Sequence, residues 1–143
     1  MLNCSSQKGF SLIELLMVCV IVGLLATIAV PSMLQSREAA EKGATIANLR
    51  TIHSNQLTYM SQRGRYARIR ELNVYFNNTL GKQVGTTTNA RIIRGNYYYS
   101  SSPTPTDTTL RTRYQIYAYR LEGSFLETWF ILEQDGIIQT IVP

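Results

Sequence analysis

Twenty-one consecutive residues, 10–30, carry a single charge, Glu14, and Pro31 follows them. As a helix rising about 1.5 Å per residue they would extend about 31 Å, the thickness of a bilayer's hydrocarbon core. Glu14 lies one turn from the start of that helix. An unpaired carboxylate in lipid costs about 3 kcal/mol, so it marks a functional site that needs a partner. No other part of the chain restricts its fold and use as tightly.

A chain of 143 residues has room for one small domain beyond such a helix. The net charge of +5 falls by one, to +4, if a leader ending at Gly9 takes Lys8 with it. A mildly basic balance bears first on solubility and second on anionic partners. The two cysteines, Cys4 and Cys19, lie in the leader and in the apolar run, so no disulfide can form within the soluble domain. Cys19 reads as a small hydrophobe. Three readings compete for the amino terminus. A secretory signal peptide needs a basic start, an apolar core of about 7–15 residues and a small-residue cleavage site. Here the run is longer, an acid interrupts it, and the small site nearest its end is at Ala29. A plain signal anchor fits the length but gives Glu14 no role. A leader removed just ahead of the apolar run is the third reading.

The string Lys8-Gly9-Phe10-Ser11-Leu12-Ile13-Glu14-Leu15-Leu16-Met17 resembles the amino terminus of type IV pilins and of the related pseudopilins of type II secretion. Its elements are a glycine at the cut, phenylalanine next and glutamate four further on, all opening an apolar helix. The match covers residues 8–35, about a fifth of the chain, and the remainder agrees in layout. The resemblance implies cleavage by a prepilin peptidase after Gly9 and N-methylation of the new terminus, Phe10. It implies no cofactor, a single pass through the inner membrane before assembly, and then a place in a cell-surface filament. Its partners would be identical or related subunits, the peptidase, the membrane and an inner-membrane assembly machinery. Physical chemistry supports the assembly role of Phe10 and Glu14. Cleavage frees an amine at Phe10, and in a staggered helical bundle the Glu14 carboxylate of one subunit can meet the amine of the next in a low-dielectric core. An isolated helix offers Glu14 the alternative of snorkelling to the interface. Gly23 and Pro31 bracket the stretch where helix continuity is weakest, a proline inside a helix costing about 3 kcal/mol. The resemblance implies that this stretch melts on assembly; a simple kink at the membrane boundary is the competing reading.

Residues 32–63 read as an amphipathic helix. Ile46, Leu49, His53, Leu57 and Met60 recur at helical spacing, and Ala39, Ala40, Ala44 and Ala47 raise helix propensity. Gly64 ends it. His53 is expected to be a packed or interfacial residue rather than a ligand. Residues 64–95 read as a connection with a short helix at 67–72 and polar turns through Asn77-Asn78, Gly81 and Gly85. Strands are expected at 96–100, 113–121, 128–134 and 137–142. Tyr114, Ile116 and Ala118 alternate with Gln115, Tyr117 and Tyr119, and Asp135-Gly136 reads as a two-residue hairpin turn. The fold class is therefore α+β: a long amino-terminal helix packed on a small carboxy-terminal antiparallel sheet of three to four strands, the pilin fold. The expected organisation is a leader at 1–9, a transmembrane helix at 10–30 and a soluble head at 31–143. Within the head come the helix at 32–63, the loop at 64–95 and the sheet at 96–143.

Nothing in the sequence assembles a catalytic site. One histidine, no nucleophile elbow and no phosphate-binding glycine loop leave no triad or zinc set, so an enzyme is not expected. The late acids Asp107, Glu122, Glu127, Glu133 and Asp135 are scattered, whereas a calcium cage needs about six to eight oxygens, so no metal is expected. Arg63, Arg65, Arg68 and Arg70, interleaved with Tyr66, form the densest basic patch and are candidates for DNA or anion contact. A solvated face, or pairing with Glu38, Glu41 or Glu71 of neighbouring subunits, is the plainer account. The tyrosines at 97–99, 117 and 119 suit a half-buried strand face. The expected function is a structural subunit of a type IV pilus or pilus-like filament. A secretion pseudopilin and a monomeric membrane-anchored domain are the alternatives.

Overall fold

The computed structural model describes residues 9–86, 90–101, 105–121 and 129–141. The expected leader up to residue 8, the ends of two expected strands at 128 and 142, and the acids Glu122 and Glu127 lie outside the described residues. Two compact units divide the chain, Met1–Ala39 and Ala40–Pro143, and helix α1 (Leu12–Arg63) contributes to both.

In the first unit α1 is helical from Leu12 onward with its side chains exposed. It passes through Gly23 and Pro31 without interruption, so the weakness expected there does not break the helix in this structure. Pro31 has the φ a helix needs and forfeits only the one hydrogen bond to the carbonyl four residues back. Hydroxyls on either side bond to the preceding turn: Thr27 Oγ1 donates to the Leu24 carbonyl at 2.7 Å and Ser32 Oγ to that of Ala29 at 3.1 Å. Such back-bonding favours a local bend over a break.

In the second unit the later turns of α1 lie against a sheet, burying Thr45, Leu49, Ile52, Gln56 and Tyr59. The spacing is helical, but the buried face is rotated from the expected stripe. Leu49 belongs to both, whereas Leu57 is 47% exposed. Letter hydrophobicity misplaced the face because two of its five members are polar and are satisfied locally. Thr45 Oγ1 donates to the Glu41 carbonyl at 2.9 Å. Gln56, fully buried, clamps the backbone of Ala67: its Nε2 donates to the Ala67 carbonyl at 2.7 Å and its Oε1 accepts from the Ala67 amide at 2.8 Å. His53 is half-buried, with Nδ1 2.6 Å from the Tyr114 hydroxyl, so it joins helix to sheet.

The sheet has six strands rather than three or four. They are β1 (Lys82–Val84), β2 (Arg91–Arg94), β3 (Tyr97–Ser101), β4 (Gln115–Arg120), β5 (Trp129–Glu133) and β6 (Ile138–Ile141). They pair in chain order, every neighbour antiparallel. The two extra strands fall in the expected connection at 64–95. They have only three and four residues, too few to display an alternating pattern, and β2 buries only Ile92 completely. Pairing with β3 specifies them. Gly95, at φ 62°, opens the two-residue turn between β2 and β3.

Helix α2 (Ile69–Tyr75) is the expected short helix, displaced two residues later at its start. The Ile69 amide donates to Ser101 Oγ at 3.0 Å, anchoring α2 to β3. Buried Asn73 then shapes the exit: its Oδ1 accepts from the Leu80 amide and its Nδ2 donates to the Gly81 carbonyl, both at 3.1 Å. Gly81 has φ 147°, and a Cβ there would run into the Ile93 carbonyl. The β5–β6 turn is one residue longer than the Asp135-Gly136 reading. Leu132 pairs with Ile138 and the Glu133 amide donates to the Ile137 carbonyl at 3.4 Å, leaving Gln134, Asp135 and Gly136 as the loop. Gly136, at φ 78°, fills the left-handed third position that three-residue hairpins use.

Candidate assembly site

Gly9, Phe10 and Ser11 precede α1 in non-helical backbone, and Phe10 is 78% exposed. The Ser11 amide donates to Glu14 Oε2 at 3.1 Å, and the Leu15 amide donates to the Ser11 carbonyl at 3.3 Å. Ser11 is therefore the N-cap and Glu14 the third helical residue, reaching back to satisfy an otherwise orphaned donor, as the second half of a capping box does. This cap, for which Ser-x-x-Glu is the signature, was missed from the sequence, and it explains what holds Glu14 in a single chain. It also sets the carboxylate one residue from the nitrogen of Phe10. Negative charge at this end complements the helix dipole.

Behind the cap, α1 is long and apolar enough to cross a membrane. Its most apolar 18 residues have a mean hydropathy of 2.7, and none of them is buried by the rest of the chain. In lipid a helix is the economical form for such a segment, since it satisfies its backbone internally. Cys19 is exposed on this helix as a free thiol.

The arginine cluster is spent mostly on the chain itself. Arg65 Nη1 donates to Glu71 Oε2 at 3.0 Å and to the Tyr66 carbonyl at 3.1 Å. Arg68 reaches Glu71 Oε1 at 3.2 Å, Asp107 Oδ1 at 2.8 Å and the Pro105 carbonyl at 3.0 Å. Arg70 donates to the Thr86 carbonyl at 2.5 Å, and the Arg63 guanidinium lies 5.8 Å from the Tyr75 ring centre. Burial alone would raise the Glu71 carboxyl. The Arg65 hydrogen bond, the Arg68 amide and the two guanidinium charges outweigh it and hold the group below the usual carboxylate range. The same bond from Glu71 raises Arg65. An open hollow of about 360 Å³ beside the cluster is lined by Tyr59, Arg68, Arg70, Glu71, Val74 and Tyr75. The cluster thus ties α2 to the segment before the 3-10 turn at Thr109–Arg111. Among the described residues no three His, Cys, Asp or Glu side chains converge as a metal site.

A membrane-length apolar helix, an acid held at its first turn and an antiparallel sheet packed on its later turns together make the arrangement of a pilin-like subunit. Similarity to known proteins runs the same way. The family described as "Prokaryotic N-terminal methylation motif" matches residues 4–30. The Type IV major pilin protein PilA of Myxococcus xanthus (strain DK1622) is 33% identical over 61 residues, which cover 43% of this chain and 28% of that protein. The Type II secretion system core protein G of Dickeya chrysanthemi is 33% identical over 60 residues, covering 42% of this chain and 39% of the relative. Its counterpart in Escherichia coli (strain K12) is 37% identical over 43 residues, 30% of each chain. The chain spans well under half the length of these relatives.

Proposed function

We propose that this chain is a structural subunit of a type IV pilus or pilus-like filament, cut by a prepilin peptidase after Gly9 and methylated on the Phe10 nitrogen. The observation that carries this reading is Glu14, held beside the Ser11 amide at the head of an otherwise apolar, uncovered helix. Before assembly the helix rests in the inner membrane, and the carboxylate is partly satisfied by its own backbone. Cleavage then frees a cation one residue away. When a subunit enters the growing bundle, Glu14 exchanges its own-chain cap for the Phe10 amine of a neighbour. In a low dielectric an unmatched charge costs far more than a matched pair, so the register that pairs them is favoured. An assembly machinery in the inner membrane would extract the subunits, and the stretch between Gly23 and Pro31 would unwind as the helices bundle. The heads would then line the outside.

The relatives named as type II secretion core proteins support a second use of the same assembly chemistry, a pseudopilus. Both depend on Glu14. Glu14→Gln keeps the size and the cap acceptor but removes the charge. The expected outcome is a processed chain that stays in the membrane and forms no filament. Filaments at wild-type abundance from that variant would contradict charge pairing, whereas a wild-type chain that forms no filament and is unchanged by the substitution would favour a membrane-anchored monomer.

A further inference from the structure

One side chain from each strand lines up across the face of the sheet that turns away from the core: Lys82, Ile93, Tyr98, Tyr119, Trp129 and Ile141. The pairs Lys82–Ile93, Ile93–Tyr98, Tyr98–Tyr119 and Trp129–Ile141 are in direct register. Tyr119 meets Trp129 one step beyond the Ala118–Phe130 pair. Their strand neighbours Ile92, Tyr97, Tyr99, Ala118 and Phe130 are buried, so alternation points the row outward, and each member keeps part of its surface in solvent. At about 4.8 Å between strands the row is about 24 Å long.

The centre of the row is aromatic. The Tyr98 and Tyr119 rings lie 5.4 Å apart at 35°, and Tyr117, in the adjacent row, lies 6.0 Å from Trp129 at 33°. The Arg91 guanidinium carbon sits 5.7 Å from the Tyr98 ring centre and 5.6 Å from that of Tyr119. Arg91 is exposed, and no carboxylate among the described residues pairs with it. Glu133, the acid on this face, already accepts a hydrogen bond from Gln115 Nε2 at 2.7 Å. Cross-strand stability accounts for a tyrosine pair. It does not account for a half-exposed aromatic row with, among the described residues, cations at one end that no carboxylate pairs.

We infer that this row is a binding strip for a carboxylate-bearing polysaccharide. The apolar C–H faces of successive sugar rings fit against Tyr98, Tyr119 and Trp129, which are stiff and cost little ordering entropy. Ser100 and Gln139, in the adjacent row, offer partners for sugar hydroxyls. A uronate carboxylate fits Arg91, whose fork is pre-oriented by the two rings it stacks on. A second copy of this face is a poorer occupant, since among the described residues it offers Arg91 and Lys82 no free acid opposite. The strip lies wholly within Ala40–Pro143, so it stands or falls independently of Glu14-driven assembly.

Trp129 is the sole tryptophan, so its emission reports the strip directly. The full chain in polyoxyethylene detergent micelles is titrated with polygalacturonate, with neutral dextran and with a single-stranded oligonucleotide. The expected result is a saturable shift with polygalacturonate, about tenfold weaker with either other polymer and about tenfold weaker in Tyr119→Ala and in Arg91→Gln. Arg91→Gln alters an exposed side chain and leaves the core untouched. The inference is overturned by any of three results: no saturable shift with polygalacturonate, an equal response to dextran or oligonucleotide, or a shift that grows with protein concentration alone.

Discussion

Gln56 offers the sharpest test of how the head is built. It is fully buried on α1, and both ends of its amide bond to the backbone of Ala67, itself buried in the core. Gln56→Leu preserves volume and helix propensity while leaving a buried N–H and a buried C=O without partners. Each unsatisfied group costs about 1–3 kcal/mol, so about 3 kcal/mol net is expected once the apolar gain of leucine is set against it. For a domain of about 100 residues that lowers Tm by about 12–20 °C. Thermal melts of the full chain in nonionic detergent, followed by Trp129 emission, measure it. Gln56→Glu adds a control that packing cannot imitate. Ionised, the new carboxylate accepts from the Ala67 amide but faces its carbonyl; protonated, it can donate there and restore both bonds. Its folded pKa is therefore raised by burial, so its stabilising form is complete below the unfolded value of about 4.3 and is lost as pH rises through the folded one. Relative to wild type, Gln56→Glu should gain stability from pH 7 down to pH 5. A Gln56→Leu shift of only a few degrees, or a Gln56→Glu difference that ignores pH, would refute the clamp.

Two further outcomes follow from local geometry. Gly81→Ala should cost about 1–3 kcal/mol, because its φ of 147° is strained for alanine and the Cβ meets the rigid Ile93 carbonyl; Gly85→Ala, with room around it, should cost less in the same melts. Glu71 is held below the usual carboxylate range by Arg65 and Arg68, so it stabilises the fold above about pH 4.3, its unfolded value, and that contribution is lost as pH falls through the depressed folded value. Acid melts of Glu71→Gln should accordingly show a shallower loss below that pH than wild type, and identical slopes would contradict the ion-pair account.

The amino-terminal half was largely legible. Length, apolarity and one acid at a fixed distance from a glycine define the membrane-length helix, whereas the cap that Ser11 and Glu14 form was passed over because Glu14 was read only through its membrane position. The helix-on-sheet class was legible too, because Tyr114, Ile116 and Ala118 alternate over enough residues to fix a face. What escaped was set by tertiary structure. β1 and β2 are too short to show a period and exist only through pairing with β3. The buried face of α1 was misplaced because Gln56 and Thr45 are polar letters with local partners. The arginines at 63–70 read as a basic surface because their acids, Glu71 and above all Asp107, 39 residues from Arg68, are brought beside them only by folding. The aromatic row needs five registers at once, and no single strand reveals it.

The most direct test of the central claim is intact mass and amino-terminal sequencing of material sheared from the cell surface. A mature chain beginning at N-methylated Phe10 and abundant in that fraction is the predicted result. A chain still bearing residues 1–9 would contradict it and leave a membrane-anchored domain.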